Sequence, residues 1–300
     1  MKNQIIQLKK EKNAVILAHY YAPPEVQEIA DHVGDSFALA KAARASTGDI
    51  IVFCGVQFMG ESAKLLNPGK KVLMPDLTAD CAMAHMVKPG IIQEMRQKYP
   101  DLAVVCYINS TALLKSQSDV CVTSSNAVKI VRNLPNQNIF FIPDQNLGRF
   151  VAQQVPEKNI ILNDGCCPVH AAITGAQVDD AKALHPGVKV LAHPECPVEV
   201  LEKSDYIGST AGIISYAKNS PDAAFIICTE DGVTHQLALD NPEKTFYYPA
   251  PRPCCMDMKK NALEGVLSVL QKEDKEIFVD EALGAAALLP LNKMLELAEK

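Results

Sequence analysis

Three cysteines in this chain fall at nearly equal intervals: Cys81, Cys167 and Cys255 stand 86 and 88 residues apart. Thiolate sulfur is a soft donor that suits iron–sulfur clusters and zinc. No Cys-x-x-Cys pair occurs among the ten cysteines, so the usual finger, rubredoxin-like and ferredoxin-type spacings are absent. Any metal centre must gather its ligands from distant segments. Cys166 precedes Cys167 and Cys254 precedes Cys255, and spacing alone does not choose between neighbours. Acid–base chemistry is offered by His19 and His193, because imidazole moves protons near neutral pH. Glu195, two residues beyond His193, is a candidate general base. Tyr21 and Tyr107 can donate a hydrogen bond or a proton, and Asn109 can hold a carboxylate or carbonyl. His32, His85, His185 and His235 read as structural, and His170 reads equally as a neighbour of Cys167 or as packing.

The elements that must position these groups form an internal repeat. Short β-branched runs recur at 15–17, 50–53, 72–74, 103–108, 139–142, 160–162, 188–192, 224–228 and 246–248, with helical patterns between them. Nearly continuous apolar runs of this kind are buried parallel strands of βαβ units. Nine strands are expected, in three sets of three. The sets open NAVILAHYY, LAVVCYINS and GVKVLAHPE, and each is followed by a small hydroxylic turn: VGDS, VTSS and IGST. His19 and His193 lie 17 residues before Ser36 and Thr210, and Ile108 lies 17 before Ser125. Tyr107 and Asn109 therefore flank the equivalent position. The expected fold is α/β, with three pseudo-symmetric units, each a small parallel-sheet αβα sandwich, around a pseudo-threefold axis. The expected boundaries are 1–84 plus 256–300, 85–169 and 170–255. In open α/β units function gathers beyond the carboxyl ends of the strands, so the three cysteines would meet on the axis and hold a metal cluster with one open coordination position.

PPEVQEIADHV reads as a helix starting at Pro23 and Pro24. Three further helices follow the turns, with Ser36, Ser124 or Ser125, and Ser209 or Thr210 at their N-caps. Helix N-termini aimed at one axis make an anion site for a small, multiply negative ligand. Two C-terminal helices, in MKKNALEGVLSVLQK and VDEALGAAALLPLNKMLELAEK, are expected to cover the first unit.

Composition narrows the function classes. With 29 basic and 35 acidic residues the net charge is −6, which argues against nucleic acid or a membrane surface as partner. No apolar run approaches the ~20 residues of a membrane span. The start, MKNQIIQLKKEKN, has no signal-peptide core, so a cytoplasmic protein is expected and disulfides are not. Cys54, Cys106, Cys121, Cys196 and Cys228 read as packing residues.

Taken together, LAHYY, ADHVGDS, GVQFMGESAKLLNP, CAMA, YINSTA, VTSSNAV, PDQNLG, CPVH, HPECP, IGSTAG and CCMDMKKN resemble the quinolinate synthase family of bacterial and archaeal NAD biosynthesis, over essentially the whole chain. The resemblance implies a [4Fe–4S] cluster on three cysteines, its fourth iron open to substrate. It implies condensation of iminoaspartate with dihydroxyacetone phosphate to quinolinate, with loss of phosphate and two waters. An aspartate oxidase or dehydrogenase is the implied supplier of iminoaspartate. It selects Cys81, Cys167 and Cys255 as ligands, the last because Met258-Lys259 completes the pattern Cys-x-x-Met-Lys. It implies a substrate-binding set of His19, Ser36, Tyr107, Asn109, Ser124, His193, Glu195 and Thr210, with Ser209 and Met258 on the same wall. It pairs Tyr21 with Glu195 for phosphate loss and proton transfer. The chain departs from the family at Tyr20, where many relatives carry Asn, and lacks the Cys-x-x-Cys-x-x-Cys ending of some relatives. Two other readings compete. A cluster enzyme reducing an allylic diphosphate needs an apolar slot, and these strand tips are too polar for one. A redox sensor needs no such set of His, Tyr and Glu.

Overall fold

Each repeat begins with a strand whose side chains are almost all buried, which is what a parallel sheet covered on both faces requires. The computed structural model describes residues 1–299. Lys300, the last residue of the expected first unit, lies outside the described residues. The first sheet holds β1 (Ala14–His19), β2 (His32–Gly34), β3 (Ile50–Cys54) and β4 (Lys71–Leu73). The second holds β5 (Ala103–Tyr107), β6 (Val120–Val122), β7 (Asn138–Ile142) and β8 (Asn159–Leu162). The third holds β9 (Lys189–Ala192), β10 (Tyr206–Ile207), β11 (Ala224–Cys228) and β12 (Thr245–Tyr247). All three sheets are parallel and share one order, second–first–third–fourth. The fold is α/β in three repeated units.

Among the described residues twelve strands replace the nine expected. The extra member of each sheet is β2, β6 or β10, two or three residues long and overlapping the hydroxylic turns. So short a segment shows no periodicity. An aspartate anchors it instead. Asp31, Asp119 and Asp205 each stand just before the short strand. Each donates its N–H to a carbonyl of the first strand, Ile16, Val104 or Val190, at 2.8–2.9 Å. Each carboxylate accepts the N–H of that same residue at 2.7–2.8 Å. The same two-way bond in all three units is strong evidence for triplication. Asp205→Ala removes a charge-assisted bond of this kind, and we expect it to lower stability by about 2 kcal/mol, read as the shift in urea midpoint at unchanged slope.

The helix expected over 23–33 is a single turn, Pro24–Gln27, because Asp31 draws the chain into β2. Two of the three expected caps also shift. Asp35 caps the helix Ser36–Ala45, accepting from Ala38 N–H at 2.9 Å, and Ser36 is its first residue. The helix Ala127–Asn133 starts after Asn126, beyond Ser124 and Ser125. Ser209 does cap the helix Thr210–Asn219.

One C-terminal helix covers the first unit as expected: Leu263–Lys272 packs with the N-terminal helix Lys2–Glu11 on one face of the first sheet. The other does not. Glu281–Glu299 lies mainly on the second unit, against the helix Ala112–Ser116 and β6, and touches the first through the helix Gln57–Leu66. Ala287, Leu291, Met294 and Leu295 sink into a core shared by units one and two. An apolar stripe names its need for cover, not its partner. Cys54, Cys106, Cys121, Cys196 and Cys228 are fully buried free thiols, in or beside strands.

Candidate active site

The carboxyl ends of the three first strands face one cavity of about 270 Å³. Every candidate residue except Ser209 lines it: His19, Tyr21, Ser36, Tyr107, Asn109, Ser124, His193, Glu195, Thr210, Met258, Cys81, Cys167 and Cys255. Ser209 is spent on its cap, where its hydroxyl accepts from Gly212 N–H at 3.2 Å. Sequence reasoning left His170 undecided and missed Glu230; both line the cavity.

The cysteines follow β4, β8 and β12, so the loop after each sheet's outer strand returns to the centre. Each precedes a four-residue helical turn: Ala82–His85, Pro168–Ala171 and Met256–Lys259. Backbone N–H groups of the turn point back at each sulfur, which favours a thiolate there. Burial dominates in the ligand-free protein. It pushes the Cys81 thiol up to about 12, Cys167 well above its ordinary range and Cys255 upward. A metal must therefore displace protons as it binds. Cys166 is absent from the cavity wall, whereas Cys254 lies on it, grouped with Glu230 and Asp231.

The two equivalent histidines are held identically. Tyr21 N–H donates to His19 Nδ1 at 3.1 Å, and Glu195 N–H donates to His193 Nδ1 at 3.3 Å. An Nδ1 that accepts leaves the proton on Nε2 in the neutral ring. Nε2–H of His193 reaches across to Ser124 Oγ of the second unit, 3.2 Å away. Burial first, then mutual repulsion between the two rings and the Lys259 charge, pushes His19 down to about 3. Burial first, then the His170 charge, pushes His193 down to about 3 against the pull of Glu195.

A histidine depressed below its unfolded value binds fewer protons when folded, so stability rises with pH through this window. Its effect is absent above pH 6.5 and grows as pH falls toward 3. For the metal-free protein we expect His19 and His193 together to cost about 2–3 kcal/mol between pH 7.5 and 5.5. Asp144, pushed up to about 8 by burial and then by Glu195, acts with the opposite sign over this window, so the histidine share is read as the change in the urea-midpoint difference between parent and His19→Gln at the two pH values.

Glu195 is fully surrounded. Burial alone would raise its pKa. Nearby His170 and His193, with the close contact to His170 Nδ1 and the neighbouring Tyr107 hydroxyl, outweigh burial and hold the carboxylate at about 2. Oε2 lies 2.8 Å from His170 Nδ1 and 3.5 Å from His193 Nδ1. Oε1 has no partner in satisfactory geometry, and neither has the buried Asn109 Oδ1. Buried acceptors without partners are rare, and two on one cavity wall mark a place for a ligand or water.

A chain of hydroxyls ties Tyr21 to this carboxylate. Tyr21 Oη sits 2.7 Å from Thr210 Oγ1 and 2.8 Å from Thr229 Oγ1. Thr229 Oγ1 is 2.9 Å from His170 Nε2, and His170 Nδ1 is 3.2 Å from Cys167 Sγ. His170 Nδ1–H donates toward the Glu195 carboxylate and the sulfur, and its Nε2 meets Thr229 Oγ1. No lysine or arginine lines the cavity among the described residues. An anion held here must rely on the helix starts at Ser36 and Thr210 and on a bound metal.

Fold and site together define a three-unit α/β protein with a thiol-rich centre where three sets of strand tips meet. Among the described residues no helix is long and apolar enough to cross a membrane. The family described as NadA, quinolinate synthetase A protein, matches residues 3–296. A quinolinate synthase of Clostridioides difficile is 50% identical over 99% of this chain and 97% of its own length. Those of Caldicellulosiruptor bescii and Fusobacterium nucleatum are each 52% identical, over 99% of this chain and 98% and 99% of their own lengths. The chain belongs to the quinolinate synthetase A family.

Proposed function

We propose that this protein is a quinolinate-forming transferase of NAD biosynthesis. It condenses iminoaspartate with dihydroxyacetone phosphate and releases quinolinate, phosphate and two waters. The observation that carries this reading is one cavity walled by three thiols, one per repeat, together with the paired histidines and Glu195. The units follow the boundaries 1–84, 85–169 and 170–255, with Leu263–Lys272 joined to the first and Glu281–Glu299 lying mainly on the second. Iminoaspartate comes from an aspartate oxidase or dehydrogenase.

A [4Fe–4S] cluster on Cys81, Cys167 and Cys255 suits the residues present. The three thiols are not among the donor sets within 4.8 Å of one another, so they are too far apart for a single ion. Their number leaves one cluster position to substrate. When bound, the cluster supplies a Lewis-acidic iron that polarises a substrate oxygen.

The chain's own groups do the rest. Helix starts at Ser36 and Thr210 and the Ser124 turn receive carboxylate and phosphate oxygens. His19 Nε2–H donates to a substrate oxygen, and His193 and Asn109 hold the second anionic group. Met258 closes the wall. Tyr107 and Tyr21 direct hydroxyls at the reacting carbons. Glu195 takes the protons that elimination and ring closure release. A base held near 2 is a weak one, and the negative charge of a bound substrate raises its proton affinity.

The test is an anaerobic assay of iminoaspartate and the triose phosphate, with quinolinate quantified by chromatography. Product is expected from cluster-loaded protein. A fully loaded protein that forms none would refute the proposal.

A further inference from the structure

Behind each cysteine a carboxylate accepts the cysteine's own backbone N–H. In unit two Asp144 Oδ2 takes Cys167 N–H at 3.1 Å, and in unit three Glu230 Oε1 takes Cys255 N–H at 2.9 Å. Both side chains stand two residues beyond the third strand of their sheet, after β7 and β11. Third and fourth strands are neighbours, so the sheet order itself delivers the carboxylate to the loop that carries the cysteine. Unit one is built differently. Its equivalent position is Val56, and Cys81 N–H goes to the adjacent Asp80 at 2.7 Å. Asp80 is partly exposed, whereas Asp144 and Glu230 have no exposed surface.

A fully buried carboxylate is costly unless its oxygens are satisfied. Asp144 meets this in part with N–H donors: Oδ1 accepts from Leu147 at 2.7 Å, capping the helix Gln145–Gln154, while burial first and then Glu195 still push the carboxyl up to about 8. Glu230 accepts from Gly232 N–H at 2.7 Å and pairs with Lys259 Nζ at 2.9 Å. Lys259 also donates to the Tyr21 carbonyl at 3.0 Å, so this anchor is continuous with the Tyr21 loop.

We propose that Asp144 and Glu230 are positioning residues that fix the cysteine backbones so that Cys167 and Cys255 present their thiols to the cluster. The inference rests on the cluster reading above. Outer-shell partners of metal ligands typically govern affinity by roughly 10- to 100-fold.

Asp144→Asn separates positioning from folding. Asparagine caps a helix as well as aspartate, so the bond to Leu147 survives. Its amide nitrogen then opposes Cys167 N–H, donor against donor. In Asp144→Asn and in Glu230→Gln we expect iron release to a ferrous chelator, under anaerobic conditions, to be roughly 10- to 100-fold faster. The EPR line shape of the reduced cluster should change, while the metal-free protein still unfolds in one cooperative transition with its melting temperature lowered by only several degrees. Iron release at the parent rate in both variants would overturn the proposal. Metal-free protein in a Cys166→Ser background supplies a readout independent of the cluster: alkylation by iodoacetamide, resolved by peptide mass. Asp144→Asn should speed modification at Cys167 and leave Cys81 unchanged. Equal rates at Cys167 would overturn the proposal even in a protein that binds no iron. A parent protein that takes up no cluster, with Cys167 still accelerated in the variant, would remove the cluster reading and leave the positioning role.

Discussion

Serine in place of Cys81, Cys167 or Cys255 should abolish the cluster and bring quinolinate formation below detection, while Cys166→Ser and Cys254→Ser retain about four irons per chain. Serine keeps the shape of cysteine but is a hard, poorly ionised donor, so the loop survives and the soft ligand does not. The vicinal pairs make the experiment informative. Cys167 and Cys255 each begin a helical turn whose N–H groups face the sulfur. Cys166 is set back from the cavity. Cys254 is the stronger rival because it lies on the wall, close to Glu230 and Asp231. Those carboxylates are already engaged by Lys259 at 2.9 and 3.1 Å, which makes their corner an ion pair rather than a vacant metal site. Iron and sulfide are assayed after anaerobic purification of each variant. A cluster that survives Cys255→Ser and disappears in Cys254→Ser would reverse the assignment.

What the sequence disclosed follows from what repetition and burial leave visible. Continuous apolar runs announced the long strands, and equal spacing joined three remote cysteines before any contact was known. His19 and His193 were recognised as equivalent by position, and the structure gives them the same Nδ1 contact. The short strands were missed because two or three residues carry no period, although Asp31, Asp119 and Asp205 were present as a signal. The caps at Asp35 and Asn126 differ by one or two residues from the expected serines, within the ambiguity of helix starts read from side chains alone. The final helix misled because its apolar stripe fits either of two neighbouring cores. His170 and Glu230 could not be chosen from sequence. Their importance lies in the contacts to Cys167, Cys255 and Glu195 that only folding creates.

Glu195→Gln should keep the cluster and lower kcat by about 10²- to 10⁴-fold, the usual contribution of a positioned acid or base. Glutamine preserves volume, and its carbonyl can still accept from His170 Nδ1 where Oε2 does now, 2.8 Å away. What disappears is the capacity to take a proton. Oε1 has no partner in the resting site and, on the proposed mechanism, is the atom that takes the proton. KM should therefore change much less than kcat, since the proposed mechanism assigns anion binding to the helix starts and Asn109 rather than to this carboxylate. A carboxylate held at about 2 stabilises the folded protein at neutral pH, so the metal-free variant should be less stable than the parent at pH 7. Steady-state kinetics on protein matched for iron content gives the split between kcat and KM. Undiminished turnover would remove Glu195 from proton transfer. A fall in turnover matched by a fall in iron content would instead move its role to support of the metal, through the His170 contact that it shares with Cys167.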